Sequence, residues 1–216
     1  MPRRPGPQLT PGEVVAAAAA VLARDGYDRL TMRAVAEEIG VQAPSLYWHV
    51  KSKEDLSLLL FDHLIDNLDY GPLTGDWRAD MRGMAERLRA RLVGVRDITR
   101  LFPENDAFGP RATRSLERGL GLLRQAGLPA AEALHAYGAA LSFIIGWSRL
   151  EVTRRANEVA ASGAGDVPDL AAFPNLAWAV MGGGSQPGYD EGFRYGVDLL
   201  LAGLEQRLLR AAAVAP

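Results

Sequence analysis

The sequence predicts an all-α protein, and three observations carry that reading. Helix-starting and helix-stopping residues recur along the chain. Apolar residues fall at three- and four-residue spacing between them, and no segment alternates apolar and polar residues as a half-buried strand would. The pattern predicts a three-helix, helix-turn-helix domain over residues 1–56 and a larger helical domain over 57–216. With 216 residues and 48% hydrophobic content, the chain can bury a sizeable core.

Thr10-Pro11-Gly12-Glu13 is a capping box with proline at the first helical position, so a helix is expected over 11–24, ended by Asp25-Gly26. Thr31 is the N-cap of a second helix that turns Val35 and Ile39 inward and stops at Gly40. A third follows over 43–50, with Pro44 tolerated in its first turn. Ser52 caps a fourth helix over 52–68, whose Leu56, Leu59, Leu60, His63 and Leu64 trace one face. Its length suits a connector leaving the small domain, and Tyr70-Gly71-Pro72 breaks it.

A further helix covers 76–95, followed by an irregular stretch over 97–110 punctuated by Pro103 and Pro110. Helices are then expected over 111–125, ended by Gly127, and from Pro129 to about residue 156. Glycine-rich loops over 161–169 and 182–188 flank a short apolar segment, 170–181. The last helix, 189–209, carries Phe193, Val197, Leu200, Leu201, Leu204 and Leu208 on one stripe. There is no internal repeat.

Composition excludes several function classes. The chain has no cysteine, which rules out disulfides and thiolate chemistry. The basic start and alanine run resemble a signal peptide only superficially. Prolines, a glycine and Glu13 interrupt them, and the apolar part continues into a capped helix. The longest apolar stretch elsewhere, 136–147, is too short for a membrane span, so a soluble, cytoplasmic protein with no membrane partner is expected. His49, His63 and His135 lie on three different helices without metal-ligand spacing, and the last two read as interior or boundary residues. Gly182-Gly183-Gly184-Ser185 follows no strand and holds no lysine, so it reads as a loop. Asp62, Asp66 and Asp69 share a helix face that reads as solvated. No catalytic residue, metal site or cofactor is expected.

The helix pair in 30–56 is the informative stretch, because a short second helix held rigidly by the first is a way to present side chains to the DNA major groove. Charge alone does not announce nucleic acid: residues 1–56 hold seven basic and seven acidic residues. On spacing alone, a small-molecule-binding protein or enzyme with a structural helix pair, or an interaction module using the fourth helix, is also compatible. The run LTMRAVAEEIGVQAPSLYWHVKSKEDL decides more. It resembles the DNA-binding domain of the TetR family of bacterial repressors, and Tyr47-Trp48-His49-Val50-Lys51-Ser52-Lys53 is most similar to the tetracycline-repressor branch. The segment from Gly192-Phe193 to Gly203-Leu204-Glu205 is similar to that branch's last helix.

The resemblance implies double-stranded operator DNA as partner and a set of contacting residues. Arg33 reaches a phosphate or guanine edge, Pro44 and Ser45 face base edges, and Tyr47, His49 and Lys53 serve the backbone. Trp48 is assigned to packing or the groove wall. Ala43 stands where the tetracycline branch has a longer polar base reader, so a different operator is expected. Two such modules, about 34–36 Å apart in a dimer, would read a near-palindrome.

The remaining expectations concern control. The helix from Pro129 is apolar almost all round and the last helix has a broad leucine stripe, which predicts a homodimer through candidates Leu141, Ile145, Val197, Leu201 and Leu204. The helices over 76–156 and the segment 170–181 are expected to enclose an apolar pocket. Its candidates are Met84, Leu88, Phe102, Phe108, Trp147, Trp178 and Met181. The tetracycline branch, by resemblance, holds a metal-chelated drug with histidine and polar anchors. Met84, Leu88 and Phe102 are the approximate equivalents here, so a small aromatic or apolar effector bound without metal is expected.

Overall fold

A computed structural model of the chain describes residues 9–66, 68–101, 112–160, 169–182 and 188–214. Among the described residues there are nine α-helices and three short 3-10 turns, and no strand. The first helix, α1 (Pro11–Asp25), starts on the expected capping box: the Thr10 amide donates to Glu13 Oε2 at 2.8 Å and the Glu13 amide to Thr10 Oγ1 at 3.3 Å. Its Val14, Ala18, Val21 and Leu22 form the floor on which α2 (Met32–Ile39) packs. Thr31 Oγ1 accepts the Ala34 amide at 3.1 Å, and Gly40, at φ 80° and ψ 29°, closes α2 in the left-handed region that favours glycine.

The third helix, α3 (Ala43–Leu46), is shorter than the expected 43–50. Residues 47–49 continue as a turn in which the His49 and Val50 amides both donate to the Leu46 carbonyl, at 2.8 and 2.9 Å. One helical turn has almost no intrinsic stability, so buried Leu46 and Val50 hold it in place.

Next comes α4 (Lys53–Asp66), with Ser52 Oγ accepting the Asp55 amide. It packs against α1 at one end and against α5 (Trp77–Gly94) and α6 (Ala112–Gln125) at the other, so it is the physical link between the two parts of the chain. Its buried face is Leu56, Leu60, Phe61 and Ile65, with Leu59, His63 and Leu64 half-buried at the edge. Asp62 is buried as well, contrary to the expected solvated face, because it shares that inward side.

The larger part is built around α5, which buries Met81, Met84, Leu88 and Leu92 and touches α6, α7 (Ala130–Ala160) and α9 (Tyr189–Val214). Both long helices outrun their expected ends, since no proline or glycine interrupts residues 147–160 or 204–214. Glu151, only 1% exposed, ties three helices together. It accepts Arg89 Nε at 2.7 Å and Arg155 at 2.7 Å, while Arg89 also meets Asp190 at 2.7 Å and lies 5.0 Å over the Phe193 ring. The expected apolar segment forms α8 (Pro174–Met181), but among the described residues none of it lines the two cavities found between α4, α5, α6, α7 and α9. Its Trp178 and Met181 are exposed, and its main packing is against the preceding turn, Leu170–Ala172.

Candidate nucleic-acid interface and ligand cavity

Around α3 the fold sorts side chains by sequence position. Leu46 and Val50 point into the core, while Pro44, Ser45, Tyr47 and Trp48 lie exposed on the outer surface, with Ala43 and His49 half-buried beside them. Trp48 is 90% exposed and Tyr47 53%, so neither is a core aromatic, and the packing role considered for Trp48 does not hold. Two large rings left in water on a one-turn helix are a surface made for contact. Arg33 projects from α2 and pairs with Glu37 at 2.9 Å across one helical turn, both of them exposed. Such a pair is weak and easily exchanged for a phosphate.

Lys53 has a partner within the chain as well. Its Nζ donates to the Tyr27 carbonyl at 3.1 Å and sits 4.2 Å over the Tyr27 ring, which fixes the start of α4 to the turn between α1 and α2. Tyr27 is the centre of a second device that the sequence did not reveal. After α5 the chain turns through Asp97, whose φ of 54° is rare for a side chain other than glycine. Asp97 Oδ2 accepts the Tyr27 amide at 2.9 Å, Arg96 donates to the Arg24 carbonyl at 3.0 Å, and Arg100 grips Asp28 with two bonds of 2.7 and 3.0 Å. Arg100 also lies 4.6 Å from the Tyr27 ring centre. The Arg100 guanidinium holds the Asp28 carboxyl below the usual carboxylate range, first through these hydrogen bonds and then through its charge. This latch joins the α1–α2 turn to the segment after α5 across some 70 residues of chain, and no local motif announces it.

Two neighbouring cavities open within the larger part. One, about 520 Å³, lies between α5, α7 and α9 and is lined by Met84, Leu88, Ile144, Val197 and Leu201. At its rim Glu132 pairs with Arg207 at 2.9 Å, and His135 stands exposed, where an interior or boundary position was expected. The other, about 170 Å³, lies between α4, α5, α6 and α7, lined by Phe61, Leu92, Ser115, Leu116 and Ile145. Leu88, Tyr137 and Leu141 belong to both walls. The larger volume falls within the roughly 300–1,000 Å³ usual for small-molecule sites. Of the two, the smaller is the one with α4 residues, Phe61 and Ile65, in its wall.

Of the expected pocket residues, Met84 and Leu88 line these cavities. Trp147 instead packs within an aromatic cluster, tilted against Phe143 at 5.8 Å and edge-on to Phe193 at 6.3 Å. Trp178 and Met181 stand exposed on α8, and Phe102 and Phe108 lie outside the described residues. Among the described residues no group of three or more His, Cys, Asp and Glu could hold a metal ion. No described helix is long and apolar enough to cross a membrane.

Two of the five expected seam residues, Val197 and Leu201, are buried inside the chain, where they line the larger cavity, while Leu141, Ile145 and Leu204 are half-buried. The outward face of α9 carries Tyr195, Leu199, Ala202 and Leu209, spaced by four, three and seven residues, and α7 adds Leu134 and Leu150. The inward stripe was richer in leucine, which hid this second stripe in the sequence.

Comparison with known proteins converges on one family. Residues 14–59 match the bacterial regulatory proteins of the tetR family, and residues 71–208 match the tetracyclin repressor-like C-terminal domain. An HTH-type transcriptional regulator of Saccharopolyspora erythraea is 31% identical over 93% of this chain and 86% of its own length. The class A tetracycline repressor of Escherichia coli is 29% identical over 94% and 93%. Apo ActR from Streptomyces coelicolor superposes with a TM-score of 0.80 at 26% identity, covering 95% of this chain and 99% of its own. ActR in complex with actinorhodin gives 0.79 at 26% identity over 93% and 98%.

Proposed function

The chain belongs to the tetR family of bacterial regulatory proteins, DNA-binding transcription regulators rather than enzymes, and from that premise we propose that it is a homodimeric repressor released from a palindromic operator by a small apolar or aromatic effector. The observation that carries this reading is the position of α4. One end is fixed to the DNA-facing helices by Lys53, and Phe61 and Ile65 near the other form a wall of an apolar cavity. A ligand that fills the cavity displaces α4 and, with it, the exposed Ser45, Tyr47 and Trp48. In this reading residues 1–56 are the DNA reader and 57–216 bind the effector and the partner subunit. The apolar lining and the ligand-bound ActR neighbour favour a small organic effector. The outward stripe of α9 with the exposed side of α7 is the dimer seam, since exposed leucines at helical spacing need a partner surface.

Gel shift with the DNA upstream of the gene tests the reading. Specific retention that weakens steeply with salt is expected, with Tyr47→Ala and Trp48→Ala weakening binding to all sequences and Ser45 variants changing base preference. Absence of retention at low salt would sink the proposal.

A further inference from the structure

The smaller cavity is apolar on nearly every side; hydroxyls come from Thr113, Ser115 and Tyr137 in its lining, and the last two are hydrogen-bonded to each other. Ser115, buried on α6, is the hub: its Oγ lies 2.9 Å from the Tyr70 hydroxyl and accepts from the Tyr137 hydroxyl at 3.3 Å. Tyr70 comes from the connection after α4 and Tyr137 from α7, so three separate segments converge on this point. Ser115 and Tyr137 line the cavity, while Tyr70 stands outside it, its ring 5.6 Å from the Arg118 guanidinium. Gly119, one turn after Ser115, makes the arrangement possible, because a Cβ there would lie 2.5 Å from the Tyr137 ring.

Hydrogen counting shows what the cluster offers. Three hydroxyls carry three hydrogens and, among the described residues, use two of them on one another, so the third is not consumed within the cluster. Ser115 or Tyr137 can direct it into the cavity, and the 3.3 Å bond between them is long enough to exchange at little cost. Burial pushes both phenols above their ordinary range, so they remain protonated donors. None of the described lining residues is charged; Phe61, Leu88, Leu92, Leu116 and Ile145 make up most of the wall. A carboxylate there would lose its hydration without gaining a cation, whereas a neutral acceptor oxygen meets a ready donor.

We propose that Ser115 and Tyr137, backed by Tyr70, are the polar anchor that selects the effector: a neutral, flat, largely apolar molecule with a carbonyl oxygen that accepts a hydrogen bond from this cluster. The inference rests on the reading of the cavity as the effector site. It also explains how such a molecule would reach the reader, since its ring system would lie against Phe61 and Ile65 of α4 while its oxygen is held on α6 and α7.

Fluorenone and fluorene, flat tricycles that differ by one carbonyl, test the anchor on the full-length protein by quenching of tryptophan fluorescence. Fluorenone is expected to bind about five- to tenfold more tightly, the worth of one neutral hydrogen bond. Tyr137→Phe and Ser115→Ala should each reduce that preference, read as the ratio of the two affinities within one variant, to less than twofold. Melting curves identify any variant that fails to fold, and the other then decides. Equal binding of the two molecules to the unmodified protein would overturn the anchor yet leave the apolar effector cavity standing. So would a preference that survives both substitutions. Binding of neither at their solubility limits would overturn the anchor and the effector cavity together.

Discussion

Trp48 and Glu151 sit at opposite extremes of exposure and predict opposite phenotypes. Trp48→Ala removes a ring that touches solvent over 90% of its surface, so the melting temperature should stay within a degree or two while operator affinity falls. Glu151→Ala leaves Arg89 without its buried partner, and thermal or urea unfolding should show a loss of about 3–5 kcal/mol. The latch residues fall between. Asp97→Ala removes the acceptor of the Tyr27 amide and should cost about 1 kcal/mol, and it should also reduce the effector's ability to release DNA, measured as induced against basal operator affinity. Its pH behaviour follows from Asp28, whose carboxyl is held low by Arg100. A depressed carboxyl pKa contributes stability above the unfolded value, and that contribution is lost as pH falls through the folded one. The stability difference between the unmodified protein and Arg100→Ala should therefore be flat from pH 5 to 8 and shrink only in more acidic solution.

Helices that share a residue type can differ in what that residue meets, and α9 makes the point. Leu199 and Leu201 are two positions apart, yet one is 58% exposed and the other 3%. Leu199→Glu should give a folded monomer by sedimentation and abolish operator binding, because two half-sites can no longer be held together. Leu201→Glu should unfold the chain instead, since the charge would enter the core without a partner. A Leu199→Glu protein that stays dimeric at micromolar concentration would place the seam elsewhere. The short α3 behaves as a tethered element. Leu46→Ala should cost about 2–5 kcal/mol and loosen the reading face, although Leu46 itself meets no DNA.

In the proposed reading effector and operator act on one equilibrium through α4 and the latch, so their effects must be reciprocal. If the effector weakens operator binding tenfold, the operator complex must bind the effector tenfold more weakly, a coupling of about 1.4 kcal/mol. Titration calorimetry with and without operator DNA measures both sides. The same instrument addresses tetracycline. The uncharged lining of the α4-facing cavity favours a neutral ligand, so tetracycline with magnesium should bind no better than tetracycline alone. Tight, magnesium-dependent binding would show that the polar requirements of the site have been misjudged.

Local rules sufficed for the caps at Thr10 and Thr31, the stop at Gly40 and the all-α class, because each depends on residues within one or two turns of the chain. The contact role of Tyr47-Trp48-His49, just after α3, was legible only through the resemblance of that run to the tetracycline-repressor branch; spacing alone allowed Tyr47 and Trp48 to be core aromatics, and the fold places both outside. Tertiary packing alone decided the rest. It turned Leu201 inward and Leu199 outward on a helix apolar on both faces, and it left α8 out of the walls of the two described cavities. It brought Tyr70, Ser115 and Tyr137 together over 45 and 22 residues of chain, and Asp97 to Tyr27 over 70. A periodic pattern shows that a helix has an apolar face. It carries no information on which distant segment that face will meet, because contacts between elements are set by the relative placement of whole helices.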